Sequence, residues 1–178
     1  MSYTRAGVYR PDRWTISSHD DVNVEPRQGN ANPTGNTAWV ANLAVAVPFV
    51  LASPAIVYEW FHFNGTLTTA YNVDYGIYNP DFTKVQSLGS TAGTVTASAF
   101  VNTTAWTDLT LLPGQYYMAF WSDSTRNFTT SIDAIGQYQS QGIVEQVVAT
   151  NLPSPLVPVA YTRAFAPVFG INLRSIAI

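Results

Sequence analysis

Cysteine is absent from this 178-residue chain, which excludes disulfides, thiolate metal sites and cysteine nucleophiles. Charge is nearly as scarce. Charged residues make up 11% of the sequence, against about 25% in an ordinary soluble domain. The eight basic residues are scattered and the net charge is −3, so the concentrated basic footprint of a nucleic-acid binder is missing and no nucleic-acid partner is expected. Only two histidines occur. There is no Gly-x-Ser-x-Gly elbow, and the Gly89-Ser-Thr-Ala-Gly-Thr stretch lacks the Gly-Lys-Ser/Thr of a phosphate loop. The start, Met1-Ser-Tyr-Thr-Arg, lacks the basic, then apolar, then small pattern of a secretory signal. On that reading the sequons at Asn64, Asn102 and Asn127 are chance matches in a Thr-rich chain.

Apolar residues are plentiful, at 47%, with aromatics at 13%. So few ions cannot cover the surface of a domain this size. The exterior is therefore expected to be rich in Ser, Thr, Asn and Gln and partly covered by other subunits. Residues 28–58 carry no charge, and 38–57 has the length of a membrane span. Asn42, Pro48, Ser53 and Pro54 interrupt it, however, and two buried strands joined at a proline account for the same letters. No membrane partner is expected.

Residues 1–36 read as a separate segment. They hold Arg5, Arg10, Arg13 and Arg27, four acids and three prolines, without a sustained period. Tyr3, Val8, Tyr9, Trp14 and Ile16 make them too apolar for a solvated tail. The expectation is an extended N-terminal arm docking on a neighbouring subunit, with Tyr3, Arg5, Tyr9, Arg10, Arg13 and Trp14 as interface residues. Residues 37–178 are expected to form one domain.

Within it, 55–63 (AIVYEWFHF) reads as a strand. Its alternation puts Val57, Glu59, Phe61 and Phe63 on one face and Tyr58, Trp60 and His62 on the other. Asn64-Gly65 follows as a hairpin turn with positive φ. Residues 70–78 place Val73, Tyr75 and Ile77 opposite Asn72, Asp74 and Gly76, and Asn79-Pro80-Asp81 ends that strand. Further strands are expected at 84–88, 94–100, 106–111, 115–121 and 127–132, with 89–94 a hairpin connection. The 115–121 strand (QYYMAFW) is apolar on both faces, as a central strand must be. Six to eight short strands at this spacing make an all-β, antiparallel β-sandwich, jelly-roll-like in form. Residues 131–141 read as a helical turn or a loop, and 143–148 as a strand. Residues 152–158 (LPSPLVP) are extended, and 161–169 and 171–178 are closing strands that end in an assembly segment.

Three segments carry a resemblance: Asn72-Val-Asp-Tyr-Gly-Ile-Tyr-Asn-Pro-Asp, Ser87-Leu-Gly-Ser-Thr-Ala-Gly, and Leu112-Pro-Gly-Gln-Tyr-Tyr-Met-Ala-Phe-Trp. Together they resemble β-sandwich modules of tailed-bacteriophage virion proteins, over about a third of the chain. Similar Pro-Gly-x-Tyr-Tyr strands occur in carbohydrate-binding and adhesion sandwiches. The resemblance implies a structural protein of the virion, on the capsid exterior or the tail, without catalytic residues or cofactors. It would be a capsid decoration or cement protein that binds and stabilises the lattice of the major capsid protein. A closed homo-oligomer, for example a trimer, would bury leftover apolar surface.

The rival expectation is a tail-fibre or receptor-binding module for host glycans. An aromatic platform of Tyr78, Trp106 and Trp121 beside Asp123 and Arg126 would serve it; Tyr71 and Asn127 lie near in sequence. His19-Asp20-Asp21 reads as a polar loop, since three adjacent side chains diverge too far to hold a metal ion. His62 reads as a buried or interface histidine with one backbone partner. Glu59, Asp74, Asp108 and Asp123 are the carboxylates that could pair for glycoside cleavage.

Overall fold

The protein is described by a computed structural model over residues 13–17, 35–66, 69–103, 105–132, 135–148 and 150–176. In chain order the first strands are β1 (Arg13–Ser17), β2 (Gly35–Ala38), β3 (Leu43–Leu51), β4 (Ala55–Phe63), β5 (Asn72–Tyr78), β6 (Lys84–Ser87), β7 (Thr91–Ala92) and β8 (Phe100–Thr103). They are followed by β9 (Leu109–Leu111), β10 (Gly114–Ser122), β11 (Asn127–Ile132), helix α1 (Ile135–Ser140), β12 (Val144–Val147), β13 (Val159–Ala160), β14 (Phe165–Pro167) and β15 (Phe169–Ser175). The strands form a five-stranded sheet, β1-β15-β4-β8 with β9 also on β4, and a seven-stranded sheet, β13-β12-β3-β10-β5-β6 with β7 also on β5. A three-stranded sheet runs β14-β11-β2. All the ladders between these strands are antiparallel. The chain is thus an all-β assembly of packed antiparallel sheets, as its strand spacing leads one to expect.

The main core lies between the two large sheets. Val45, Val47 and Phe49 of β3, Met118 and Phe120 of β10 and Val73, Tyr75 and Ile77 of β5 meet Val57 and Trp60 of β4 and Phe169, Ile171 and Leu173 of β15. Phe128 and Ala166 join them from the small sheet. Strand β10 is apolar on both faces because both are buried: Met118 and Phe120 enter this core, while Ala119 and Trp121 enter a second one.

That second core covers the outer face of the seven-stranded sheet. Ala44, Ala46 and Ala119 form its floor, and the proline-rich strap after β12 lays Leu152 and Leu156 on it. Gly76 lets the strap come close, since a Cβ there would stand 2.9 Å from Leu152 Cδ1. The strap is tied by Tyr78 Oη donating to Pro153 O (2.6 Å), Lys84 Nζ to Leu152 O (2.8 Å) and Trp121 Nε1 to Val148 O (3.2 Å). Of the β5 residues opposite Val73, Tyr75 and Ile77, Asp74 and Gly76 are buried and Asn72 is half-buried.

Several expectations need correction. Asn64-Gly65 is not a hairpin, because β4 and β5 lie in different sheets. Gly65 is needed instead for close approach: a Cβ there would sit 2.2 Å from Asn36 Oδ1 and 2.7 Å from Asn127 O. The alternation along β4 is broken by a bulge. Asn172 pairs with Glu59 and Leu173 with Val57, skipping Tyr58, so Val57 faces inward together with Trp60 and His62. The 89–94 stretch does not join two strands to each other either, since β6 and β7 both run along β5, with the loop arching between them. Residues 94–99 are loop rather than strand, and the strand expected at 106–111 shortens to β9. Two buried strands do account for 38–57, but Pro48 lies inside β3, paired with Tyr117. It lies beyond the β3 residues that β12 pairs, 43–46, so its missing N–H interrupts no ladder on that side.

Within the segment expected to be an arm, β1 runs along β15 of its own chain, from Arg13↔Arg174 to Ser17↔Gly170. Strand β15 is thereby an interior strand, lying between β1 and β4. Tyr3, Arg5, Tyr9, Arg10 and the His19-Asp20-Asp21 stretch lie outside the described residues.

Candidate functional site

The most concentrated polar chemistry is buried. His62 and Asn64, two residues apart on one strand face, meet Tyr71 and Tyr75, and both His62 and Asn64 are 0% exposed. His62 Nδ1 lies 2.5 Å from Tyr75 Oη, and Nε2 lies 3.0 Å from Asn64 Oδ1 and 2.8 Å from Tyr71 Oη. One proton assignment satisfies the group: the Tyr75 hydroxyl donates to Nδ1, and the imidazole carries its proton on Nε2, towards Asn64 and Tyr71. Asn64 Nδ2 then donates to Thr94 O (2.7 Å) and Thr96 O (2.9 Å), while Tyr71 Oη reaches Asn64 Oδ1 (2.9 Å) and Thr94 O (3.1 Å). The Arg126 guanidinium lies over the Tyr71 ring, 4.0 Å from its centroid.

Burial holds the His62 pKa down at about 3, with Arg126 adding to the depression and the Asn64 hydrogen bond opposing it. Burial likewise raises the Tyr71 and Tyr75 hydroxyls above their ordinary range. In place of the one backbone partner expected for His62, the buried ring of this tetrad has three side-chain partners. The signal was present in the chain, since His62 and Asn64 must share a face if 62–64 is extended.

The four carboxylates are separately engaged. Asp74, 0% exposed, accepts from Gly89 N (2.8 Å) and Leu152 N (3.1 Å), and burial raises its pKa against those bonds. It thus fastens both the loop after β6 and the strap to β5. Asp123 accepts from Asn72 N (2.7 Å) and Asn72 Nδ2 (2.6 Å). Glu59 accepts from Asn102 Nδ2 (2.6 Å) and Asn172 Nδ2 (2.7 Å), and Asp108 pairs with Arg174. Each side chain braces a neighbouring segment. Among the described residues, no group of three or more His, Asp or Glu gathers as a metal site.

The expected aromatic platform is not at the surface. Tyr78 and Trp121 lie in the strap-covered core, and Trp106 packs edge-on against Trp60 with its Nε1 donating to Val57 O. Arg126 is buried too. Tyr78 and Trp121 are core rings because the outer face of the seven-stranded sheet is covered, and Trp106 is buried against β4. What the surface does show is aliphatic: Leu112, Val147, Val157 and Val159 are 60–67% exposed and Phe100 is 50% exposed. Glu145 pairs with Val159, and Gln146 Oε1 accepts from Val157 N at 2.7 Å, so Val147, Val157 and Val159 gather at one sheet edge. Beside β8, Phe61, Phe63 and Phe100 make a second cluster, with centroids 5.0–6.3 Å apart.

No family model, no curated protein and no solved structure matches this chain. No helix among the described residues is long and apolar enough to cross a membrane.

Proposed function

We propose that this chain is a non-enzymatic structural subunit of a tailed-phage particle, a decoration or cement protein that packs against the major capsid lattice. The observation that carries the reading is the valine-rich edge of β12 and β13. Three aliphatic side chains on or next to these strands, Val147, Val157 and Val159, are each at least 60% exposed on a chain with only 19 charged residues, the sum of 8 basic and 11 acidic. Contiguous apolar surface rimmed by polar residues marks a protein contact more often than a catalytic one. The three segments of virion resemblance support the same reading: two become the adjacent strands β5 and β10, and the third is the loop that Asp74 fastens. Binding only the assembled lattice would stabilise it by mass action, and many sites per particle would add avidity.

Antibody against the chain, applied to phage particles that encode it, should label the head. Labelling confined to the tail would favour the tail-module alternative, and unlabelled particles would end the virion reading. Removing residues 1–12, which spares β1, should weaken capsid binding if the arm contributes to docking.

A further inference from the structure

We propose that the His62 tetrad is an acid-sensitive latch, holding the 94–99 loop closed at neutral pH and releasing it on acidification. The loop is mostly exposed, lies outside any strand, and holds Ser98 in a left-handed conformation (φ 48°) that an L-residue adopts at a cost. Its ties converge on one place. Asn64 grips Thr94 O and Thr96 O through its side chain and Ala99 O through its backbone N–H (2.9 Å), while Tyr71 Oη reaches Thr94 O. Ser98 N donates to Gly65 O (2.8 Å), the residue beside Asn64. The orientation of both gripping side chains depends on His62 Nε2, which stands 3.0 Å from Asn64 Oδ1 and 2.8 Å from Tyr71 Oη.

A second proton on the ring would arrive at Nδ1, which already takes the Tyr75 hydroxyl proton. Tyr75 would have to turn that proton into a core of Trp60 and Phe120. Among the described residues, no counter-charge acts on the imidazolium. Asn64 just after β4, Tyr71 just before β5, Tyr75 of β5, Phe120 of β10, Phe128 of β11 and, at the paired position on β15, Phe169 surround the ring. The charged group acting on it is Arg126, of the same sign. Protonation is therefore relieved by opening, and the segment whose ties run through Asn64 and Tyr71 is the loop.

The sign of the effect follows from the pKa values. His62 is at about 3 when closed and near 6.5 once hydrated, so the open state binds more protons in that window. The opening constant should then rise about tenfold per pH unit below 6.5, about a hundredfold by pH 4.5. Hydrogen exchange of the full chain, corrected for intrinsic rates at each pH, reads this at the Ser98 and Asn64 amides. They should open separately from, and more often than, the Ala46 and Phe120 amides, with that slope. His62→Gln should flatten the slope. Tyr71→Phe, which removes one tie and leaves the imidazole, should raise loop opening already at pH 7. Ser98 and Asn64 amides that open only together with the core, or a pH-independent opening constant in the unmodified protein, would overturn the proposal. So would a His62 imidazole NMR titration near 6.5 with the loop amides still protected.

Discussion

The two faces of the seven-stranded sheet are buried by different means. On the inner face, rings from separate strands interlock: Phe120 has the ring centroids of Trp39, His62, Tyr75, Phe128 and Phe169 within 5.2–6.1 Å. On the outer face, alanine and glycine keep the floor low, and an extended strap supplies two leucines and is held by hydrogen bonds to its backbone. The inner face depends on side-chain volume, whereas the outer face depends on how closely a backbone can approach. Substitutions should separate the two.

Phe120→Ala should have the largest effect, about 3–5 kcal/mol in urea or thermal unfolding, because rings fixed by several strands cannot collapse into the void. Leu152→Ala should fall in the lower half of the ~2–5 kcal/mol range for such truncations, since the strap can settle onto its alanine floor. A loss equal to that of Phe120→Ala would show that the strap is as rigid as the core.

Asp74→Asn should cost about 1–3 kcal/mol, because its amide would turn a donor towards the Gly89 or Leu152 N–H. It should also change the acid limb. Burial raises the Asp74 pKa in the folded protein, so this carboxyl favours folding below its unfolded value and loses that contribution as pH rises through the folded value. His62 acts in the opposite sense, destabilising the protein as pH falls from about 6.5 towards 3. Without Asp74 the decline on acidification should be steeper just above its unfolded pKa, near 3.9, which unfolding midpoints at several pH values would show. Tyr78→Phe should cost least, about 0.5–1 kcal/mol, since water can replace the lost donor at the strap carbonyl.

These differences mark how far the sequence could be read. The apolar run of β10, the Val73/Tyr75/Ile77 face of β5, the two buried strands flanking Pro54 and the end of β5 at Asn79-Pro80 were legible, because each follows from local periodicity or turn chemistry. The burial of Asp74 and Tyr78 was not, since the strap that covers them is about 75 residues away along the chain. Nor was the fate of Trp106 and Trp121, because composition does not say which sheet face another segment will cover. His62 and Asn64 could be placed on one strand face, but their partners could not be named: Tyr71 follows a loop rather than the expected hairpin.

The sequence by itself determined the all-β class, the central position of β10 and the shortage of charge, all properties of residue type and spacing. Only the tertiary structure decided that Gly65 serves close approach rather than a turn, that a bulge at Tyr58 brings Val57 and Trp60 to the same side, and that the strap closes the outer face. Each of these depends on which distant backbone comes within van der Waals range, and a one-residue slip in register reverses the facing of a strand without changing its letters.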